Sequence, residues 1–230
     1  MADHPRFGPV ARALLSEWGD PPIPERVHTT LRAWLPAAHP LFLQLLGLVS
    51  HEAVRFFDLE TLGLFGVPVI LAAFGHLEDG GLRVTQYLAR SIEEEPPLLE
   101  AATEELTGAS LVLSYNGKAF DWTTLRERCA YYGLPFKGRP VHVDLLHHAR
   151  RAFSGQLSDL HLSTVEESLL GLERTGDLPS DQVPVFYERY LQTGDPRPLI
   201  PIVAHNRQDV ASLAALLDRL LVSEPPDHAR

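Results

Sequence analysis

Five apolar segments in the middle of the chain limit the folds that it can adopt. They cover residues 53–61, 67–78, 82–89, 110–116 and 140–146. The first three follow one another closely, and "DGG" at 79–81 is typical of a hairpin turn between strands. The last two alternate with helical patterns over 96–108 and about 120–132. This order predicts an α/β fold in which helices flank one mixed sheet.

The two ends of the chain follow different patterns. After the fifth segment only helices are predicted, around 160–170, around 181–193 and at about 202–221. Before the first segment, 24–35 and 40–49 read as two short helices and no strand is clear. We therefore expect an N-terminal extension over 1–50, an α/β domain over 51–223 and a short tail over 224–230.

Composition restricts the compartment and the kind of partner. The single cysteine, Cys129, excludes an internal disulfide and a zinc site built from cysteines. The first residues lack the apolar stretch of a signal peptide, and no apolar run is long enough to span a bilayer. We therefore expect a cytoplasmic protein that does not contact membranes. A net charge of −10 argues against nonspecific coating of nucleic acid.

One stretch departs from this acidic balance. Residues 118–151 contain seven basic residues against three acidic ones. The basic ones are Lys118, Arg126, Arg128, Lys137, Arg139, Arg150 and Arg151. Such a stretch fits a solvated face or a surface that follows a phosphate backbone, and both interpretations stay open. An acidic protein can still bind a polyanion when metal ions lie between them.

Four carboxylates occupy positions where functional sites are usually built. Asp58 and Glu60 are two residues apart at the end of the first strand, so their side chains point to one face. Asp121 follows the fourth strand, and Asp209 lies on the apolar stripe of the last helix. Because α/β proteins build sites at the carboxyl ends of strands, we expect these acids to form a site there.

Three motifs that contain these acids resemble, in order, those of the DEDD (DnaQ-like) 3′→5′ exonuclease superfamily. The motifs are "FFDLETLGL", "SYNGKAFDWTTL" and "HNRQDVASL". The segment 164–191 is similar to the YprB-type branch of the ribonuclease-H-like proteins, and the whole resemblance covers about residues 53–222. It implies a ribonuclease-H-like fold with a five-stranded mixed sheet whose second strand is antiparallel. It also implies 3′→5′ exonuclease activity on DNA or RNA.

The resemblance further implies a two-metal site. Its metal-binding acids would be Asp58, Glu60, Asp121 and Asp209. Carboxylate oxygens are the ligands that Mg²⁺ and Mn²⁺ prefer, and two such ions can activate a water and stabilise a leaving oxygen. Bound ions would also remove the repulsion among four neighbouring carboxylates.

His205 is the candidate general base. It precedes Asp209 by four residues, so both side chains point the same way on a helix. A neutral imidazole there could take the proton of the attacking water. One branch of the superfamily has tyrosine four residues before the last aspartate, whereas another has histidine five before it. His205 fits neither branch fully, and a packing role at the start of the helix stays open.

Three residues near the acids are candidates for substrate binding. Leu62 could press against a terminal base, and Phe120 could stack on one, although each could equally be part of the core. Asn116 could bind the terminal nucleotide or orient Asp121, or it could serve only an Asn-Gly turn. Asp144 is expected to cap the helix that follows it.

We therefore expect an enzyme that removes nucleotides from single-stranded ends of DNA or RNA in the presence of two Mg²⁺ or Mn²⁺ ions. A structure-selective endonuclease with the same metal site is the first alternative. The second is a module that binds nucleic acid or protein without catalysis. Retention of all four acids favours an enzyme, and the sequence indicates no particular protein partner.

Overall fold

The computed structural model describes residues 2–4, 8–10, 51–64, 66–78, 81–174 and 176–222. Near the N-terminus, β1 (Ala2–His4) and β2 (Gly8–Val10) pair as short antiparallel strands. The helices expected at 24–35 and 40–49 lie outside the described residues. The division of the chain at residues 50 and 223 stays a prediction.

A five-stranded mixed sheet forms the centre of the fold. Its strands are β3 (Val54–Thr61), β4 (Val69–Glu78), β5 (Gly81–Leu88), β6 (Leu111–Ser114) and β7 (Val141–Asp144). The order across the sheet is β5-β4-β3-β6-β7. β4 is antiparallel to β3 and β5, whereas β3 pairs with β6, and β6 with β7, in parallel. The expected five-stranded mixed sheet with an antiparallel second strand is confirmed.

The helices follow the predicted pattern closely. They are α1 (Glu95–Thr107), α2 (Asp121–Tyr131), α3 (Leu145–Phe153), α4 (Leu162–Val165), α5 (Val183–Thr193) and α6 (Leu199–Val222). One π-helical stretch, Glu166–Leu170, continues α4. Short 3₁₀ turns occur at His51–Ala53, Ile92–Glu94 and Ser180–Gln182. None of the helices in the described residues is both long and apolar enough to cross a membrane.

Alternating side chains of β3 divide the core into two layers. Phe56 packs with residues of α3 and α6 on one face of the sheet. Phe57 packs with residues of α1 and α2 on the other face. Successive strand residues point to opposite faces, so the sequence pattern of β3 determines which helix each residue meets. The sheet is therefore covered by helices on both faces.

Helix α6 packs against β4 at a glycine. A Cβ atom on Gly75 would lie 2.8 Å from Cγ1 of Val210 and 3.1 Å from Cβ of Phe56. No ordinary side chain fits this gap, since packed carbon atoms stay farther apart. Gly75 thus allows the middle of α6 to lie directly on the sheet. Asp209, the neighbour of Val210 in the chain, is brought to the sheet by the same contact.

Candidate active site

Two carboxylates of β3 lie on the face of the sheet that α6 covers. Asp58 and Glu60 are separated from Phe56 by even numbers of residues, so all three side chains point to that face. Glu60 is 5% exposed, and Asp58 is partly buried. The end of β3 therefore places two acidic groups between sheet and helix, where solvent screens their charges weakly.

Asp121 reaches the same region as the first residue of α2. The loop that precedes it leaves the end of β6 and passes very close to its carboxylate. A Cβ atom on Gly117 would lie 2.6 Å from Oδ2 of Asp121 and 2.5 Å from Oγ of Ser114. Only glycine allows this approach. The loop and the buried Asp121 side chain therefore fix each other's position.

Asp144 holds that loop in place. As expected, it caps α3, because its Oδ1 accepts the backbone N–H of Leu146 at 3.1 Å. The same carboxylate accepts the backbone N–H groups of Asn116 at 2.9 Å and of Lys118 at 3.1 Å. A single side chain at the end of β7 thus fixes both the start of α3 and the loop that leads to Asp121.

The three candidate substrate-binding residues lie around this loop and the end of β3. Asn116 has a φ of 58° and an exposed side chain, which fits the turn interpretation, because asparagine tolerates the left-handed region. Leu62 is partly buried and packs against an apolar cluster that includes the start of α6. Phe120 is also partly buried. A contact between any of them and a substrate stays a prediction.

Asp209 approaches from α6, where Arg174 binds its carboxylate and His205 lies nearby. Its Oδ1 accepts a hydrogen bond from Nη2 of Arg174 at 2.5 Å. Its Oδ2 lies 3.6 Å from Nε2 of His205, one helical turn earlier. The side chain is 17% exposed, so its orientation is set mainly by these protein contacts.

Asn206, to which the sequence motifs assign no role, links α6 to β3 and β5, the two strands on either side of β4. Its Nδ2 donates to Oδ2 of Asp58 at 2.7 Å. Its Oδ1 accepts from Nε2 of Gln86, on β5, at 2.9 Å. Asn206 is fully buried, so both hydrogen bonds are needed to satisfy its amide. They fix the carboxylate of Asp58 relative to the helix that carries Asp209.

The four acids perturb one another's ionisation. Burial, followed by the charges of Asp209 and Asp121, raises the pKa of Asp58 and that of Glu60 well above their usual values. Burial is also the largest cause that raises the pKa of Asp121, to about 7. Burial raises the pKa of Asp209 too, although His205 and Arg174 oppose this. The structure therefore brings together all four carboxylates that the motifs singled out.

The donor chemistry of this group fits divalent metal ions. Among the described residues, no three His, Cys, Asp or Glu side chains are arranged as ligands of a single ion. The four carboxylates nevertheless supply hard oxygen atoms, and Arg174 is the one arginine or lysine that pairs with any of them in the described part of the chain. The site has excess buried negative charge that Mg²⁺ or Mn²⁺ would neutralise.

His205 lies between the acids and a second carboxylate. Its Nδ1 is 2.6 Å from Oδ1 of Asp177. Two groups approach Nδ1: the Asp177 carboxylate, which only accepts hydrogen bonds, and Nη1 of Arg174, which lies farther away at 3.2 Å. The shorter contact favours the neutral ring in which Nδ1 carries the proton and Nε2 keeps a lone pair. Nε2 faces Glu60 Oε1 at 4.0 Å and Asp209 Oδ2 at 3.6 Å, with Oγ of Ser180 at 3.4 Å. This orientation suits a group that accepts a proton within the acidic site.

Sequence reasoning missed the residues that surround His205 and Asp209. Asp177, Arg174 and Glu166 all lie in 164–191, the segment that resembles the YprB-type branch, but none was assigned a role. Glu166 is fully buried and pairs with Arg174. The available signal was the presence of charged residues on both sides of the apolar stretch "SLLGL" at 168–172. Charged groups beside a segment that packs in the core are expected to pair with one another, since an ion is rarely buried without a partner.

The structure corrects one part of the basic stretch. Arg128 was grouped with residues that could follow a phosphate backbone, but it is buried and donates to Glu95 at 2.7 Å and 2.6 Å. Its guanidinium therefore joins α2 to α1 and faces away from solvent. The other six basic residues of the stretch are exposed.

Comparisons with known proteins agree with this fold. A family model described as the RNase_H superfamily matches residues 55–221. The uncharacterized protein YprB of Bacillus subtilis (strain 168) is 33% identical over 185 residues, which are 76% of this chain and 45% of YprB. The chain thus spans less than half the length of this curated relative. The expected similarity to YprB is confirmed, whereas the DEDD branch stays a prediction.

A solved structure shows the same architecture. The family B DNA polymerase from the hyperthermophilic archaeon Pyrobaculum calidifontis superposes with a TM-score of 0.60 at 20% identity. The match covers 73% of this chain and 24% of the polymerase chain. At this identity the likeness concerns the fold alone. With the family match, it confirms the expected ribonuclease-H-like fold.

The buried acids predict that the metal-free protein loses stability as pH rises. Because the pKa of Asp121 is raised in the folded state, the folded protein binds more protons than the unfolded chain between about pH 4 and about pH 7. Its free energy of unfolding therefore falls over that range. In EDTA at pH 8, Asp121→Asn should raise Tm by a few degrees, since ~1 kcal/mol shifts Tm by roughly 2–4 °C at this size.

The measurement is thermal unfolding followed by circular dichroism at pH 5 and pH 8. Glu127→Gln, at an exposed position on the same helix, is the matched control and should leave Tm unchanged at both pH values. The gain from Asp121→Asn should shrink at pH 5, where the wild-type carboxyl is protonated. Equal or lower Tm for Asp121→Asn at pH 8 would contradict the electrostatic explanation.

Proposed function

Because this chain belongs to the RNase H superfamily, we propose that it is a DEDD-type 3′→5′ exonuclease that acts on single-stranded ends of DNA or RNA. Membership of the superfamily supports a nuclease, and the finer assignment is our inference. The observation that carries it is the convergence of four carboxylates from β3, α2 and α6 beside an oriented imidazole. Phosphodiester hydrolysis needs metal ligands and a proton acceptor at one place.

The proposed roles of the acids follow from their positions. Metal ligation falls to Asp58, Glu60, Asp121 and Asp209. Bound Mg²⁺ or Mn²⁺ would lower the pKa of the attacking water and stabilise the charge on the leaving oxygen. Asn206 keeps the Asp58 carboxylate in place through its 2.7 Å hydrogen bond. The Gly117 loop does the same for Asp121 through close packing.

His205 would accept the proton of the attacking water at Nε2. Asp177 fixes the ring through the hydrogen bond at Nδ1 and stabilises the imidazolium after proton transfer. Asp177 is suited to this role. Burial raises its pKa, but the hydrogen bonds and charges of His205 and Arg174 outweigh that effect and lower it overall. The side chain therefore stays a carboxylate beside the histidine.

The substrate would enter along the exposed loops at the end of the sheet. Leu62 and Phe120 would contact the terminal bases, and Asn116 would bind the terminal nucleotide. Exposed cations occur in the loop before Asp121, at Lys118, and in the last turn of α3, at Arg150 and Arg151. They would hold phosphates of the strand that leads into the site.

Digestion of end-labelled single- and double-stranded DNA and RNA tests the proposal. With Mg²⁺ or Mn²⁺, single strands should release mononucleotides from the 3′ end, and EDTA should stop the reaction. Asp58→Asn should abolish hydrolysis while the fold is retained, whereas Glu127→Gln should retain it. Discrete internal fragments would instead indicate an endonuclease. Binding of the strands without any hydrolysis would indicate a non-catalytic module and reject the proposal.

The proposed base has its own test. His205→Ala should lower the turnover rate by roughly 10²–10⁴-fold, the usual contribution of a positioned base, and leave metal binding intact. Asp177→Asn should also lower the rate, but should cost little more when His205 is already alanine, since both act in one step. His205→Tyr should recover part of the rate, because tyrosine occupies this spacing in one branch of the superfamily.

Asp181→Asn is the matched control for these variants. Asp181 is exposed in the 3₁₀ turn that follows Asp177 in the chain, and its variant should keep the wild-type rate. Steady-state hydrolysis at saturating metal and isothermal titration with Mn²⁺ provide the two readouts. A wild-type turnover rate in His205→Ala would assign this residue to packing alone.

The exposed cations predict salt-dependent binding. Single changes of Arg126, Arg150 or Arg151 to Ala should weaken binding of single-stranded DNA in EDTA or Ca²⁺. Each phosphate that the protein no longer binds should lower the slope of log K against log salt by about one. Arg128→Ala is the contrasting variant, because this change should lower Tm without altering that slope. Unchanged affinity and slope in all three surface variants would mean that these arginines contact solvent and do not bind phosphates.

A further inference from the structure

Arg174 lies between the metal-binding acids and the histidine. It belongs to the segment between the π-helical stretch and α5, and its side chain is 11% exposed. Three carboxylates surround it, from Glu166, Asp177 and Asp209. No motif drew attention to Arg174, and the proposed exonuclease roles use it only as a charge that helps to keep Asp177 ionised.

The guanidinium of Arg174 connects Asp209, one of the proposed metal ligands, with Asp177, the partner of His205. Its Nη2 donates to Oδ1 of Asp209 at 2.5 Å, and its Nη1 donates to Oδ2 of Asp177 at 3.2 Å. The other oxygen of Asp177 accepts from Nδ1 of His205 at 2.6 Å. A continuous chain of hydrogen bonds therefore runs from the carboxylate that would bind metal to the ring that would accept the proton.

Glu166 fixes the guanidinium from behind. It accepts hydrogen bonds from Nε of Arg174 and, at 2.8 Å, from Nη2. Glu166 also accepts from the hydroxyl of Ser212, which lies on α6 one turn beyond Asp209. Through Glu166 and Ser212, the guanidinium plane is therefore fixed relative to α6, the helix that carries both Asp209 and His205. Because the guanidinium is planar, this also fixes the direction of its remaining N–H groups.

Arg174 forms more hydrogen bonds than a purely structural ion pair would require. The Glu166 contacts alone would neutralise the buried Arg174, yet two further N–H groups are aimed at Asp209 and Asp177. A lysine could supply the same charge but not several hydrogen bonds in a fixed plane. The geometry therefore matches a role in orientation as well as in charge balance.

We propose that Arg174 is a positioning residue that fixes Asp209 and, through Asp177, the imidazole of His205 at a constant separation. The inference rests on the proposed nuclease function. In this role Arg174 contacts neither the reacting water nor the phosphate. It acts on Asp209 and Asp177 through hydrogen bonds, and its Nη1 also lies 3.2 Å from Nδ1 of His205. Its removal should therefore lower kcat much more than it changes KM.

Removing Arg174 alone would leave Glu166 buried and unpaired, which could prevent folding. The sharper variant combines Arg174→Gln with Glu166→Gln, since both buried charges then disappear and the two amides can still form hydrogen bonds. We expect Tm in EDTA close to that of the wild type, kcat lower by roughly 10–100-fold and KM within about two-fold. Arg174→Lys should show a similar loss of kcat despite its charge. A fully active, stable double variant would overturn the proposal.

Coupling to the histidine distinguishes positioning from general damage. Adding His205→Ala should cost the Arg174→Gln/Glu166→Gln variant far less than it costs the wild type, because the ring is already misplaced. Full additivity would show that Arg174 does not act through His205, which contradicts the proposal.

A spectroscopic readout is independent of hydrolysis. The Nδ1 proton of His205, held by Asp177, should give a slowly exchanging ¹⁵N-coupled resonance in the wild type and in Asp58→Asn. The resonance is assigned to His205 by its absence from the His205→Ala spectrum. It should also be lost in the Arg174→Gln/Glu166→Gln variant. If the wild type hydrolyses no nucleic acid, the nuclease function fails while this signal still tests Arg174. If the signal persists in the double variant, the positioning role fails even when the wild type is active.

Discussion

The close contact between α6 and the sheet at Gly75 is the constraint on which the site depends. Val210 fills the space that a side chain at residue 75 would need, so the middle of α6 lies directly over β3 and β4. This contact places Asp209 near the acids at the end of β3 and allows Asn206 to bind Asp58. If a side chain at residue 75 held α6 farther from the sheet, Asn206 could not reach Asp58 to form its hydrogen bond. Packing of apolar residues therefore determines the electrostatics of the site.

That arrangement concentrates negative charge in a poorly solvated place. Burial and mutual repulsion raise the pKa of the four carboxylates, and Arg174 supplies a single positive charge shared with Glu166 and Asp177. The metal-free fold must be stabilised by the rest of the protein, through apolar clusters on both faces of the sheet. Divalent cations bound among these carboxylates would stabilise the fold, because they would remove this repulsion.

Local sequence patterns were sufficient to predict a mixed sheet with helices on its faces and to single out the four acids, whereas the antiparallel second strand was implied by the family resemblance. Alternation and strand ends identify Asp58 and Glu60, and helical spacing identifies His205 with Asp209. The partners of these residues could not be predicted in the same way, because they depend on contacts between distant segments. Gln86 meets Asn206 across 120 residues, and Arg128 meets Glu95 across 33. The mistaken assignment of Arg128 to the basic surface has this cause, since charge counted along the sequence carries no information about burial.

Helix geometry determines where the ring of His205 lies, and an acid from a distant segment determines which of its nitrogen atoms faces the site. Four residues correspond to about 400° of rotation along a helix, so His205 and Asp209 project from nearly the same side of α6. A histidine five residues before Asp209 would be rotated by roughly a further 100° and would have to leave the regular helix to face the same acids. Here the helix itself places the ring, but it does not determine which nitrogen faces the site. Asp177 determines that by accepting from Nδ1, and Arg174 holds Asp177 in turn. The orientation of this histidine therefore depends on a carboxylate that the segment 164–191 supplies, and not on the spacing within α6 alone.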